Sequence, residues 1–313
     1  MDSMKTLSVV VPVYYNEESL PALFAELQAV EQTLRANNIQ LEMIFVDDGS
    51  GDNSLAVLLD LRRQHPRVKV AKHARNFGSM QAIKTGFRLV TGDAFTILAA
   101  DLQDPPELIP QMVERWLDGA KFIICARAER DDPPMSKFFS ASYYKLLRAM
   151  VVPNYPPGGY DMALMDKIFL PYLQNSGKNI NIPLFAYSLG FRPQIIRYKR
   201  QAREHGQSRW TFSKKFKFFL DSLLGFSIAP IRIISMIGLA VSGVSFVYGL
   251  FIVINALLGN PDITGTRGFA TLAALISFLL GMIIVMLGVI GEYIWRIFDE
   301  INHRPESVVE EIF

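Results

Sequence analysis

Chemistry enters this chain most clearly at Asp101, Gln103 and Asp104, oxygen-bearing side chains that follow directly on the apolar run 95–100. A run of that length with β-branched and aromatic members predicts a buried strand. Pro105 and Pro106 come next. They cannot donate ladder hydrogen bonds and suit the opening of a helix, for which Asp104 is the expected N-cap. Oxygen donors are thus expected at the carboxyl end of a strand, where open α/β sheets bind their ligands. Alternating along an extended backbone, Asp101 and Gln103 suit a hard cation, Mg2+ or Mn2+, that carries phosphate oxygens. The same residues would also make an ordinary polar turn with a helix cap, and the segment alone leaves both readings open.

The elements that must position these groups alternate along the first part of the chain. Strand patterns fall at 6–13, 41–46, 68–72, 95–100 and 122–126, with helical patterns between them. Strands separated by helices predict right-handed crossovers and a mostly parallel sheet covered on both faces. Three segments carrying polar residues follow the strands in turn: Pro12-Val-Tyr-Tyr-Asn-Glu17, then Asp47-Asp48-Gly49-Ser50, then Asp101-Leu-Gln103. In a parallel sheet they would converge on one edge. No glycine loop of the P-loop or dinucleotide type is present, so a metal is the expected partner of any diphosphate.

Asp101-Leu-Gln-Asp-Pro-Pro-Glu107 resembles the metal-binding signature of family 2 glycosyltransferases that use polyprenyl-phosphate acceptors, the group of the bactoprenol glucosyltransferases and dolichol-phosphate mannose synthases. The usual form has a further Asp where this chain has Ala99, which leaves Asp101 and Gln103 as the candidate metal ligands. The resemblance runs along most of residues 6–127 and implies a nucleotide-sugar-binding fold of the GT-A type. It implies that Pro12, Tyr14, Glu17 and Asp48 contact base and ribose, and that Asn76 and Gly78 approach the nucleotide. Pro157-Gly-Gly-Tyr-Asp161 resembles the acceptor-site segment, with Asp161 near the reacting centre. Arg203-Glu-His-Gly-Gln-Ser208-Arg209 resembles the Arg-x-x-Gly-x-Ser-Arg motif, which implies that Arg203, Ser208 and Arg209 bind diphosphate or lipid phosphate. A tight turn and a solvated basic loop are the plainer readings of these two segments.

The rest of the composition points to a membrane. The 313 residues are 50% hydrophobic and 20% charged, with a net charge of +2 that gives no reason to expect a nucleic-acid partner. No charge occurs in 233–258 or 269–291, and each run exceeds the roughly 20 residues that cross a bilayer as helix. Lys214, Lys215, Lys217 and Arg232 precede the first run, and Arg296, His303 and Arg304 follow the second. By the positive-inside rule, both termini and the N-terminal domain are expected in the cytoplasm, on the plasma (inner) membrane. Residues 1–5 lead straight into a strand pattern, so no signal peptide is expected. The single cysteine, Cys125, excludes an internal disulfide.

Residues 136–152 and 209–227 read as basic amphipathic helices suited to the membrane interface, with packing on the sheet as the other reading. The expected organisation is a catalytic domain at 1–231, a transmembrane hairpin at 232–296 and a cytoplasmic tail at 297–313. Gly238, Ser242, Ser245 and Gly249 in one span, and Gly281 and Gly288 in the other, suggest close helix packing and a homo-oligomer. The function expected from the resemblance is inverting transfer of a hexose, glucose from UDP-glucose, to polyprenyl (undecaprenyl) phosphate. Asp101, Asp161 and Arg203 would be its catalytic residues. A GDP-mannose or amino-sugar donor, or a non-catalytic scaffold, stays open.

Overall fold

The first two strands are buried along most of their length, which demands cover on both faces. The computed structural model describes residues 4–128, 134–178, 180–199, 219–258, 266–302 and 304–313. The chain divides into two units, Met1–Gly225 with Pro305–Phe313, and Phe226–Arg304. In the first unit, β1 (Lys5–Val13), β2 (Ile39–Asp47), β3 (Val68–His73), β4 (Ala94–Ile97) and β5 (Phe122–Arg127) alternate with helices. These are α1 (Leu20–Arg35), α2 (Ser54–Gln64), α3 (Ser79–Leu89) and α4 (Leu108–Leu117). α1 shows how sequence sets the cover: Pro21 opens it, and Leu20, Leu23, Phe24, Leu27, Val30 and Leu34 recur at helical spacing and are all buried.

After α5 (Pro134–Met150) come β6 (Met162–Asp166), α6 (Leu170–Gln174), α7 (Ile182–Ser188) and β7 (Gln194–Tyr198), and β8 (Val309–Ile312) lies near the C-terminus. Among the described residues the sheet has the order β7-β5-β6-β4-β1-β2-β3-β8. β6 and β8 run antiparallel to their neighbours, and the other pairings are parallel. One face is packed by α1 and α4 through Leu23, Leu27 and Met112. The other is filled by Phe87, Phe95, Phe122 and Phe169.

Three local expectations are corrected. β4 stops at Ile97 instead of running to residue 100, although the Leu98 amide still donates to Val10 O at 3.0 Å. Asp104 does not cap α4: the residue before the helix is Glu107, which makes no side-chain cap bond, and the first-turn amides of Leu108 and Ile109 donate to Pro105 and Pro106 carbonyls. Asp104 is instead buried beside Tyr198. The backbone across Asp101–Gln103 is a turn, not an extended ladder, because Leu102 adopts φ +58°.

No pattern in the sequence announced β6, β7 or β8. Residues 209–218 of the second amphipathic segment lie outside the described residues. In α5, Leu147 is buried and Tyr143 donates to Ser222 Oγ at 3.0 Å, whereas Phe139 is 63% exposed.

The second unit holds α8 (Ala229–Leu257) and α9 (Thr266–Ile301). Both are long and apolar enough to cross a membrane. Large apolar side chains stand exposed along them, among them Met236, Leu239, Phe246, Ile284 and Leu287. Gly238 faces the other helix, since a Cβ there would lie 3.5 Å from the Met286 methyl carbon. Gly249, Gly281 and Gly288 face open space.

Cys125 gives a direct test of the sheet core. It is fully buried in β5, and burial pushes its thiol up to about 12. Thiol reagent at pH 8 should leave the native chain unlabelled for minutes and label one sulfur per chain in denaturant. Fast native labelling would contradict a closed β5.

Candidate active site

The chain passes from β3 back across β1 to β4, so β1 lies between β2 and β4 at a topological switch point. Such a point opens a crevice outside the carboxyl ends of the strands. β1 to β5 and β7 all end at this edge. β6, running the other way, begins there. The sheet therefore brings together Tyr14–Glu17, Asp48–Ser50, Asn76–Gly78, Asp101–Gln103, Arg127, Asp161 and Tyr198.

Two carboxylates organise this edge. Asp48 is 2% exposed. Its Oδ1 accepts from the Phe77 amide at 2.9 Å and faces His73 Nδ1 at 2.8 Å, while Oδ2 accepts from the Gly78 amide at 2.8 Å. Asp48 thereby fixes the loop after β3. Gly49 lets that loop come close: at φ +69°, a Cβ would lie 2.6 Å from the Arg75 carbonyl carbon. Burial pushes the neighbouring Asp47 carboxyl up from its ordinary value against the opposing pull of Ser50. Its Oδ2 has no partner among the described residues.

The turn after β1 is stitched to the loop after β2. The Tyr15 amide donates to Ser50 Oγ at 3.0 Å, the Asn16 amide to Ser54 Oγ at 2.8 Å, and Glu17 Oε2 accepts from the Asn53 amide at 2.8 Å. Tyr15 takes φ +57°, and its ring is exposed. Tyr14 and Pro12 are half-buried beside it.

The second carboxylate is Asp161. Arg127 grips it with a fork, Nε to Oδ2 at 2.8 Å and Nη2 to Oδ1 at 2.7 Å, and both side chains are less than one-fifth exposed. The Tyr198 hydroxyl lies 2.9 Å from Asp161 Oδ2 and 3.2 Å from Asp104 Oδ1, so its one proton serves one carboxylate at a time. Burial works against the Arg127 charge, but the bond to Asp161 outweighs it and holds the guanidinium above its ordinary pKa. The Gly158-Gly159 turn delivers Asp161 to this position. Gly159 has φ +71°, and a Cβ on it would run into the Tyr144 hydroxyl.

Between these carboxylates lie Asp101 and Gln103, both half-buried. Asp101 Oδ1 accepts from the Gln103 amide at 3.3 Å across the left-handed Leu102. Such a conformation costs a branched residue about 1 kcal/mol or more and tends to collect at functional sites. Among the described residues no three His, Cys, Asp or Glu side chains gather as a metal cage. Asp101 and Gln103 supply two hard oxygen donors, which fits an octahedral cation whose remaining positions go to water and phosphate. Arg203, Ser208 and Arg209 lie outside the described residues.

Sequence reasoning missed His73, Arg127 and Tyr198. The first two end strands β3 and β5. The rule that singled out Asp101 would have found them. Tyr198 carried no such signal, because β7 was not expected.

The first unit is an open α/β sheet whose polar groups gather at one strand edge, where such sheets bind their ligands. Residues 8–171 match the family model described as glycosyl transferase family 2, and the chain belongs to that family. Its sheet is the mostly parallel GT-A arrangement that the resemblance implied. An uncharacterised glycosyltransferase of Synechocystis is 33% identical to it over 98% of this chain and 95% of its own length. The bactoprenol glucosyl transferase of Shigella phage SfV is 31% identical over 97% of this chain and 98% of its own.

The Arg127–Asp161 fork yields a stability prediction. Arg127→Ala leaves a mostly buried carboxylate without its cation and should destabilise the first unit by about 3 kcal/mol in denaturant unfolding. Arg127→Lys keeps the charge but loses the fork, for about 1 kcal/mol. Equal, small effects from both would mean that the pair holds nothing in place.

Proposed function

We propose that this glycosyltransferase moves a hexose, best glucose from UDP-glucose, onto a polyprenyl phosphate such as undecaprenyl phosphate, with inversion at the anomeric carbon. The observation that carries this reading is the joining in one chain of this strand edge with two apolar helices long enough to cross a membrane. The nearly full-length similarity to a bactoprenol glucosyl transferase supports the acceptor and the sugar.

In this reading the turn 14–17, the loop 76–78 and the ends of β1 and β2 receive base and ribose. Asp48 shapes that pocket chiefly through the loop it holds. Asp101 and Gln103 would hold Mg2+ or Mn2+, which when bound offsets the charge that develops on the departing diphosphate. Asp161 orients Arg127. The fork uses two of that guanidinium's five N–H donors, and the others suit a phosphate oxygen.

Asp161 is engaged by Arg127 and Tyr198, so it is poorly placed to take a proton. The reaction hardly asks it to. A phosphate monoester with a second pKa of about 6 is already mostly dianionic at neutral pH and attacks without a base. Arg203, Ser208 and Arg209 are proposed to bind diphosphate or lipid phosphate. The catalytic domain and both termini are proposed to face the cytoplasm, with α8 and α9 in the plasma membrane.

The test offers purified chain in bilayers undecaprenyl phosphate with UDP-glucose, GDP-mannose or UDP-N-acetylglucosamine, and reads the lipid by mass spectrometry. Lipid gaining one hexose from UDP-glucose alone is the expected result. Product from another donor alone would reassign the sugar, and no glycosylated lipid with any donor would refute the acceptor. Asp101→Asn should cut turnover at least ~100-fold while the chain stays folded, since it removes the one carboxylate proposed at the cation.

A further inference from the structure

Residues 305–313, which follow the second apolar helix, pack against the edge of the sheet beside the loop 76–78. β8 pairs antiparallel with β3, Ala71 opposite Ile312 and His73 opposite Val309, and so covers an edge that would otherwise be open. The pairing continues past the strand: the Ala74 amide donates to Val308 O at 3.0 Å, at the first residue of the loop that Asp48 holds.

Two side chains just before β8 reach inward. Glu306 Oε2 lies 2.5 Å from the ammonium of Lys84, a lysine only 3% exposed that also donates to the Ser176 carbonyl at 2.7 Å. A buried cation is costly without a counter-charge, so this pair anchors the segment on α3. Ser307 Oγ lies 3.1 Å from Thr85 Oγ1, Thr85 Oγ1 lies 2.9 Å from His73 Nε2, and His73 Nδ1 lies 2.8 Å from Asp48 Oδ1. His73, Thr85 and Asp48 are all buried.

A carboxylate only accepts, so His73 Nδ1 donates to Asp48, and His73 Nε2, Thr85 Oγ1 and Ser307 Oγ continue the chain outward. Each hydroxyl orients the next group, and the last bond seats the carboxylate that takes the Phe77 and Gly78 amides.

We propose that residues 305–313 are a positioning element of the donor pocket, with Ser307 acting through Thr85, His73 and Asp48 to hold the loop 76–78 in its nucleotide-binding form. Ser307 is a positioning residue in this scheme. Its effect should fall on donor binding more than on the chemical step. The proposal takes the donor pocket from the function given above, so its test needs one readout that uses no donor.

Ser307 is half-buried and its replacement by Ala removes one hydroxyl, so the variant should fold. Hydrogen–deuterium exchange of the full chain without ligand should show the segment 74–79 exchanging about fivefold faster in Ser307→Ala, the size of one modest hydrogen bond. Ser307→Thr, which keeps a hydroxyl, should restore the native rate. With UDP-glucose, Ser307→Ala should raise KM about fivefold and leave kcat within about twofold. Arg63→Ala, at an exposed pair with Asp60 on α2, should change neither.

Unchanged exchange at 74–79 in Ser307→Ala, or a loss that Ser307→Thr does not restore, would overturn the proposal whatever the donor. A fall in kcat with KM unchanged would also overturn it. If 74–79 loosens as expected but the unmodified chain binds no nucleotide sugar, the holding of the loop by Ser307 stands, and the function assigned to the pocket fails.

Discussion

The site depends on the direction of one short strand. β6 is inserted between β4 and β5 and runs against both, so its first residues meet the last residues of its neighbours. Were β6 parallel, Asp161 would sit at the far edge of the sheet, a strand's length from Arg127. The reversed strand instead sets an acid beside the cation that ends β5, and the fork between them locks the register. A sheet with both faces covered leaves only its edges for polar groups, so chemistry collects where strands end. β6 adds a strand start to that edge.

The sheet order then divides the edge into two halves. On one side β5, β6 and β7 bring Arg127, Asp161 and Tyr198 together. On the other, β1, β2 and β3 bring the turn 14–17, Asp48 and the loop 76–78, with β8 backing the loop. β4 lies between them, and the turn after it carries Asp101 and Gln103. Each half is organised by a carboxylate that spends its bonds on protein donors, Asp48 on two amides and a ring, Asp161 on a guanidinium and a hydroxyl. In the proposed reaction the first half holds the donor, the second the incoming phosphate, and the leaving diphosphate lies at the β4 end between them. Positioning and charge then do most of the work, as suits a nucleophile that is already ionised.

The five strands with helices between them were legible because apolar runs at that spacing admit little else, and their ends carried Asp48 and Asp101 to one edge. The path of Asp101–Gln103 was not legible. The pattern suggested an extended ladder, while the chain turns at a left-handed Leu102, which no propensity favours. Asp104 looked like a cap because it precedes two prolines, yet the helix starts later and its first-turn amides bond to those prolines' carbonyls. β6 hid behind a glycine turn that read as a loop, and β8 in a short charged tail whose partner, β3, is more than 200 residues away in sequence. Contacts of that range leave no periodic trace.

The claim on which the account rests is that this edge receives the donor. Hydrogen–deuterium exchange of the full chain in bilayers, with and without saturating UDP-glucose and Mg2+, tests it most directly. The account predicts slower exchange at 14–17, 48–53, 74–79 and 98–104, and no change at the opposite edge, at 36–38 and 90–93. Protection at that opposite edge, or none anywhere at saturation, would contradict it.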